Sequence, residues 1–217
     1  MRNTIKNVEL VISGIDRIIG KAEFPYCKDF ATLTLENGVI TICSKAFLGC
    51  HSMVNANLAD TISKIGELAF AYCDHLSKVN IPKGVKTIPY GAFYECKKLR
   101  TIDIPGNITT IGQNAFSYCR NLEEVILHDG LERIEAIAFK NDSSLNAIHI
   151  PKTIKNIGKF AFYGCKKLEN ITLTDGIEEI EEYAFANTNL KSVEIPYSVK
   201  RIGKGAFPST CIKLIRR

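Results

Sequence analysis

Eight cysteines and four histidines are the side chains of this 217-residue chain best suited to metal or redox chemistry. Six of the cysteines are periodic. Cys27, Cys50, Cys73, Cys96, Cys119 and Cys165 each follow a phenylalanine by three residues. Spaced in this way they read as a row of small residues packed inward, since free cysteine behaves as a small hydrophobe. Neighbours about 5 Å apart satisfy the distance for a disulfide, but side chains aimed in parallel into a core do not satisfy its geometry. The row is expected to be reduced and structural. No C-x-x-C and no Cys/His pair at zinc-site spacing occurs, so no metal and no cofactor is expected. His128 and His149 fall on adjacent strands of the same face with Asp103 and Asp129 near them. As diagonal neighbours they would have to converge to about 2.1 Å from one ion, and surface histidines are the simpler reading. No nucleophilic serine motif, phosphate-cradling glycine loop or carboxylate pair stands out from the repeat. The chain is expected to be non-enzymatic.

The charge pattern points to no nucleic acid either. A net +5 is modest and dispersed, too little for a basic footprint. Lys28, Lys97, Lys98, Arg120, Lys166 and Lys167 recur four or five residues after phenylalanine and would line one flank. They read as a solvated edge, with docking on an acidic protein, polyanion or membrane surface as the alternative. The run Glu178-Glu179-Ile180-Glu181-Glu182 works against a uniformly basic face. Tyr72, Tyr94, Tyr118 and Tyr163 follow phenylalanine by one or two residues and are expected to pack on the outer side of the turns. No apolar run approaches the roughly 18 residues of a membrane span. Met1 to Gly20 makes a poor signal peptide, because Glu9, Asp16 and Arg17 interrupt its apolar residues. Either the protein stays inside, in the cytoplasm, as the thiol row also suggests, or an export signal lies outside this chain, or the route is unconventional.

These residues are positioned by a repeat. Phe24, Phe47, Phe70, Phe93, Phe116, Phe139, Phe162, Phe185 and Phe207 are separated by 23 residues seven times and then by 22, and alanine precedes each from Phe47 onward. A fixed period of this length is the signature of a solenoid. Within a coil, apolar residues stand six, nine, eleven, fifteen and eighteen after phenylalanine, as in Leu76, Val79, Ile81, Val85 and Ile88. The alternation Val79-Asn80-Ile81 has the period of a half-buried strand. Pro82, Pro105, Pro151 and Pro196 end four such strands and turn the chain. The next stretch spaces its apolar residues by three, which predicts a 3₁₀ or irregular turn. Gly-x-x-Ala-Phe is expected to close the coil as a short helical turn. One coil is too small to stand alone, so coils must stack and their strands form a parallel sheet.

The frame Leu99-x-x-Ile102-x-Ile104-Pro105-x-x-Ile108-x-x-Ile111-Gly112-x-x-Ala115-Phe116-x-x-Cys119 resembles the BspA-like, or treponemal, class of leucine-rich repeats. The match covers about residues 22 to 207, and the chain is similar in size to the small treponemal member. The resemblance implies an α/β leucine-rich-repeat solenoid, with short parallel strands on the concave face and helical turns on the convex face. It implies a bacterial protein that binds other proteins, often at a cell surface, and no catalytic residues.

A single domain over residues 1–217 is expected, with about eight repeats, a cap or degenerate repeat at 1–23 and a truncated end at 208–217. The concave row ten residues after phenylalanine is the expected partner site: Asn80, Asp103, Ile126, His149, Thr172 and Glu194, continuing Thr34 and Asn57. Exposed Ile126 between Asp103 and His149 would be its apolar centre. The coil after Phe47 departs from the frame at Met53, Ala56 and Ala59. There Met53 fills the space left by Ala56, or the two border an apolar pocket. Asp142 and Thr188 stand where two cysteines are missing. Past Phe207 no polar cap is evident, so self-association through Leu214 and Ile215, or a tail folded over the end, is expected.

Overall fold

The computed structural model describes residues 8–211 and the backbone of a final strand, Lys213–Arg216. Alternate side chains of each coil point inward, and the strands they form stack as two parallel ladders. The long-strand ladder carries odd numbers in chain order, its members four residues long except for Lys78–Val79 with two. They are β1 (Glu9–Ile12), β3 (Thr32–Leu35), β5 (Asn55–Leu58), β7 (Lys78–Val79), β9 (Thr101–Ile104), β11 (Glu124–Leu127), β13 (Ala147–Ile150), β15 (Asn170–Leu173), β17 (Ser192–Ile195) and β19 (Lys213–Arg216). Between them lie β2 (Arg17–Ile19), β4 (Val39–Ile42), β6 (Lys64–Ile65), β8 (Thr87–Ile88), β10 (Thr110–Ile111), β12 (Arg133–Ile134), β14 (Asn156–Ile157), β16 (Glu179–Ile180) and β18 (Arg201–Ile202). Register follows the repeat: Val125 faces Ile102 and Ile148 faces Ile171.

Two expectations need correction. The stretch read as a 3₁₀ or irregular turn is a second parallel ladder, continuous from β8 to β18. A two-residue strand is too short to show a period in sequence, and only pairing with the neighbouring coils defines it. The phenylalanine turn is not helical, and the described residues contain no helix. Its residues at two before and two after phenylalanine take left-handed backbone angles, for example Leu68 (φ 55°) and Tyr72 (φ 60°). That conformation aims amides at the next coil instead of along a helix: Phe70 N donates to Ala92 O at 2.9 Å, and Tyr72 N to Tyr94 O at 2.7 Å.

The core is a column. Phenylalanine rings from Phe24 to Phe207 stack face to face with centroids 5.1–5.6 Å apart and planes within 12°. Beside it runs the cysteine row, all of it free thiols. Cys50, Cys73, Cys96, Cys119 and Cys165 are buried, and each Sγ lies 3.1–3.3 Å from the phenylalanine carbonyl of the coil before. Cysteine thus fits twice, as a small apolar group and as a weak donor to a second carbonyl lone pair.

The prolines decide where the long ladder is cut. After β3 and β5 the next residue donates its N–H to the coil before, Glu36 to Ile12 and Ala59 to Leu35, both at 3.0 Å. Proline has no N–H to give. Where Pro105, Pro151 and Pro196 follow β9, β13 and β17, the ladder is broken at β7/β9, β11/β13 and β15/β17. Pro82 shortens the β5–β7 pairing to two residues. Across the broken steps the coils remain joined by the short ladder and the phenylalanine turns.

Glycines alternate to match. Gly38, Gly84, Gly130 and Gly176 sit in every second coil, fourteen residues after phenylalanine, while Gly66, Gly112, Gly158 and Gly203 sit in the others at the corner after the short strand. A Cβ on Gly130 would lie 2.0 Å from the Gly106 carbonyl oxygen, and one on Gly158 2.6 Å from Ala136 N. Neighbouring coils are therefore pinched at one corner or the other in turn, so the structural unit is a pair of coils.

Candidate interaction face

At two of the steps where proline cuts the long ladder, the long-strand face opens into grooves. One of about 630 Å³ lies over β11/β13, lined by Glu124, Ile126, Ala147, His149, Asn170 and Thr172 among others. A second, of about 540 Å³, lies over β15/β17, with Glu169, Asn170, Thr172, Lys191, Ser192 and Glu194 on its walls. Asn170 and Thr172 belong to both, which makes the two one continuous depression. Ile126 is its exposed apolar side chain, at 40 % exposure. Glu123, Glu124, Glu169 and Glu194 outnumber Lys191 there, so the depression is acidic on a chain of net charge +5.

The structure treats the expected row unevenly. Ile126, His149, Thr172 and Glu194 all line these grooves. Asp103 faces Ile126 across the β9–β11 pair but is taken up by His128, whose Nε2 lies 2.9 Å from its Oδ1. Asn80 is exposed, yet its amide is committed to backbone: Nδ2 donates to Leu58 O at 2.7 Å and Oδ1 accepts from Leu58 N at 2.8 Å. It replaces the ladder bonds that the strand ending at Pro82 does not make. Thr34 and Asn57 bond each other at 3.3 Å, and Thr34 also donates to Glu9. Row membership was legible in sequence. The grooves also take in Glu124, Ala147 and Asn170, eight after phenylalanine, an outward position of the strand face that the expected row at ten leaves out. The proline spacing was the signal that could have found them.

His128 and His149 do not converge, since His128 turns to Asp103. Among the described residues no group of three or more His, Cys, Asp or Glu is arranged to hold a metal ion. Met53 and Ala56 are buried in the core at 0 % and 2 % exposure. The groove beside them is lined by Val54, Phe30, His51 and their neighbours and not by these two. The side chains of Leu214 and Ile215 lie outside the described residues. Their backbone pairs with Val193 and Glu194, so β19 covers the edge of β17 as a further rung.

The acidic run is mostly paired locally, the basic flank only in part. Glu178, Glu179 and Glu182 pair with Lys200, Arg201 and Lys159 of adjacent coils at 2.6–2.8 Å. Lys97 pairs with Glu95 at 3.2 Å, and the Arg120 guanidinium lies 5.9 Å over the Tyr118 ring. Tyr72, Tyr94 and Tyr118 pack edge to face. Burial, then the Glu95 carboxylate, push the Tyr94 hydroxyl up to about 12. These tyrosines are packed against one another in the turns.

The sequence profile of the BspA type leucine rich repeat region matches residues 17–146 and 132–216, in six copies. No curated protein matches the chain. Among solved structures, a leucine rich cell surface protein from Faecalibacterium prausnitzii is 28% identical, with a TM-score of 0.72 over 96% of this chain and 69% of that one. The leucine rich repeat protein of T. pallidum is 30% identical, with a TM-score of 0.64 over 69% and 71%. A leucine-rich repeat protein from Bacteroides ovatus is 27% identical, with a TM-score of 0.61; it aligns with 81% of this chain, which spans only 54% of its length.

Proposed function

Because the chain belongs to the BspA-type leucine-rich repeat family, a fold commonly used as a protein-interaction scaffold, we propose that it binds a protein partner on the long-strand, concave face. The observation that carries this reading is the continuous acidic depression over β11 to β17, with exposed Ile126 at one end. An exposed apolar residue bordered by polar ones can seed the apolar core of an interface. The unlike charge favours a partner whose contacting segment is basic. A surface location is part of the same reading, supported by the description of the F. prausnitzii relative as a cell surface protein. Buried thiols are shielded from oxidants, so they fit that location as well as a reducing one.

The test is crosslinked capture from the native cell with the unmodified chain and with Ile126→Arg, Glu124→Lys and His149→Glu variants. Loss of one specific partner in all three, with unchanged circular dichroism, is the expected result. Capture that survives every substitution would remove this face from consideration.

A second reading is self-association through the ends. It is favoured by one observation: among the described residues no coil stacks beyond β1 or β19, whereas the other strands paired on one side only, such as β7 and β9, still face an adjacent coil. A parallel edge can take up another strand. Light scattering at micromolar concentration decides it, and a monomer there rejects it.

A further inference from the structure

Asp142 occupies a cysteine position of the row, three residues after Phe139, and is fully buried. Neither carboxyl oxygen has a hydrogen-bond partner. The two flanking members of the row are thiols: Cys119 in the coil before, whose Sγ donates to Phe93 O at 3.2 Å, and Cys165 in the coil after, whose Sγ donates to Phe139 O at 3.1 Å. By the same register the carbonyl offered to residue 142 is that of Phe116, which accepts from Cys119 N at 3.1 Å. A second lone pair remains on that oxygen. The other cysteine replacement, Thr188, solves the problem differently by donating to Phe185 O of its own coil at 2.8 Å.

We propose that Asp142 makes the joint between the coils of Phe116, Phe139 and Phe162 an acid-strengthened one. As a neutral acid its O–H donates to the Phe116 carbonyl in the place of a thiol; as an anion it loses that bond, is left with only the Cys119 amide already committed to Phe116, and loosens the joint. Burial pushes the Asp142 carboxyl well above its ordinary value, and the Cys119 amide, already committed to Phe116, opposes this only weakly. The titratable groups facing it are Cys119 and Cys165, whose thiols are themselves pushed up, by burial first and then by Asp142, and so stay neutral. No ion pair reaches Asp142 among the described residues.

The direction follows from proton binding. Unfolded, Asp142 titrates near 3.8. Folded, it holds its proton to a higher pH, so folding binds an extra proton between those two values. Stability then rises as pH falls through that window, by up to about tenfold in the folding equilibrium per pH unit, and the gain is complete below the unfolded value.

The experiment is denaturant unfolding of the full chain from about pH 4.5 to 8, alongside Asp142→Cys and Asp142→Asn. The expected result is a ratio of folding constants, Asp142→Cys over the unmodified chain, that climbs with pH and then levels. Asp142→Asn should remove the pH-dependence even if it folds less stably than the cysteine variant. A second readout is the carbonyl stretch of a neutral carboxylic acid in infrared spectra near pH 6, present in the unmodified chain and missing in Asp142→Asn. Parallel pH profiles in all three proteins, or the absence of that band, would overturn the proposal.

Discussion

Replacing Phe116 by alanine tests whether the phenylalanine column is what couples one coil to the next. The ring is fully buried and lies 5.3 Å from both Phe93 and Phe139, with planes within 7°. Truncating a buried phenylalanine costs about 3–5 kcal/mol. Losing two stacked neighbours adds about 0.5–1.5 kcal/mol for each pair, so about 4–7 kcal/mol is expected once overlap between the terms is allowed for. Phe207 is the control. It is only partly buried and has one stacked neighbour, Phe185, at 5.6 Å, so Phe207→Ala should cost about 1–3 kcal/mol. The assay is guanidinium unfolding followed by far-ultraviolet circular dichroism, with hydrogen exchange to localise the loss. Amides that cross from one coil to the next around Phe116, such as Phe93 N to Ala115 O and Phe116 N to Ala138 O, should lose protection first. If the alanine variant does not fold, Phe116→Leu against Phe207→Leu keeps the comparison, with about 1–2 kcal/mol expected at Phe116 and less at Phe207. Equal costs at Phe116 and Phe207 would refute the argument, because a solenoid held by nearest-neighbour contacts must be more sensitive in its middle than at its end.

Three further outcomes follow from the same geometry. Gly130→Ala, at φ 118° and with its Cβ forced against the Gly106 carbonyl, should destabilise by about 3 kcal/mol or more. Gly20→Ala, whose Cβ would meet only the movable Glu23 side chain, should cost less than about 1 kcal/mol; thermal melts compare the two. Asn80→Ala should lower stability by about 1–3 kcal/mol, because it strips both hydrogen bonds from the Leu58 backbone. A partner-binding defect without a stability change would contradict that structural role. Alkylation of the folded chain at mildly alkaline pH should label the partly exposed Cys27, Cys43 and Cys211. Cys73, Cys96, Cys119 and Cys165, whose thiols burial pushes up, should react only after denaturant is added, as mass spectrometry of peptides can show.

The sequence by itself determined the architecture, because a 23-residue period with inward phenylalanine, alanine and cysteine can bury its apolar faces only by stacking. Strand registers such as Val125 opposite Ile102 are the same statement in space. The prolines were equally legible as strand ends. That three of them also cut a ladder, and Pro82 shortens one, became clear only from the direction of the bonds, in which the residue after a strand donates to the coil before. The second ladder and the left-handed turns were not legible. A pair such as Thr87–Ile88 has no period of its own, and residues as unlike as Leu68, Glu95 and Ile137 share one left-handed conformation. Neighbouring coils impose it by accepting their amides. The face shows the same division. Position in the repeat placed Asn80, Asp103, Ile126 and His149 in one outward row. Tertiary hydrogen bonds then assigned Asn80 to the Leu58 backbone and Asp103 to His128, and left Ile126 and His149 lining an open groove.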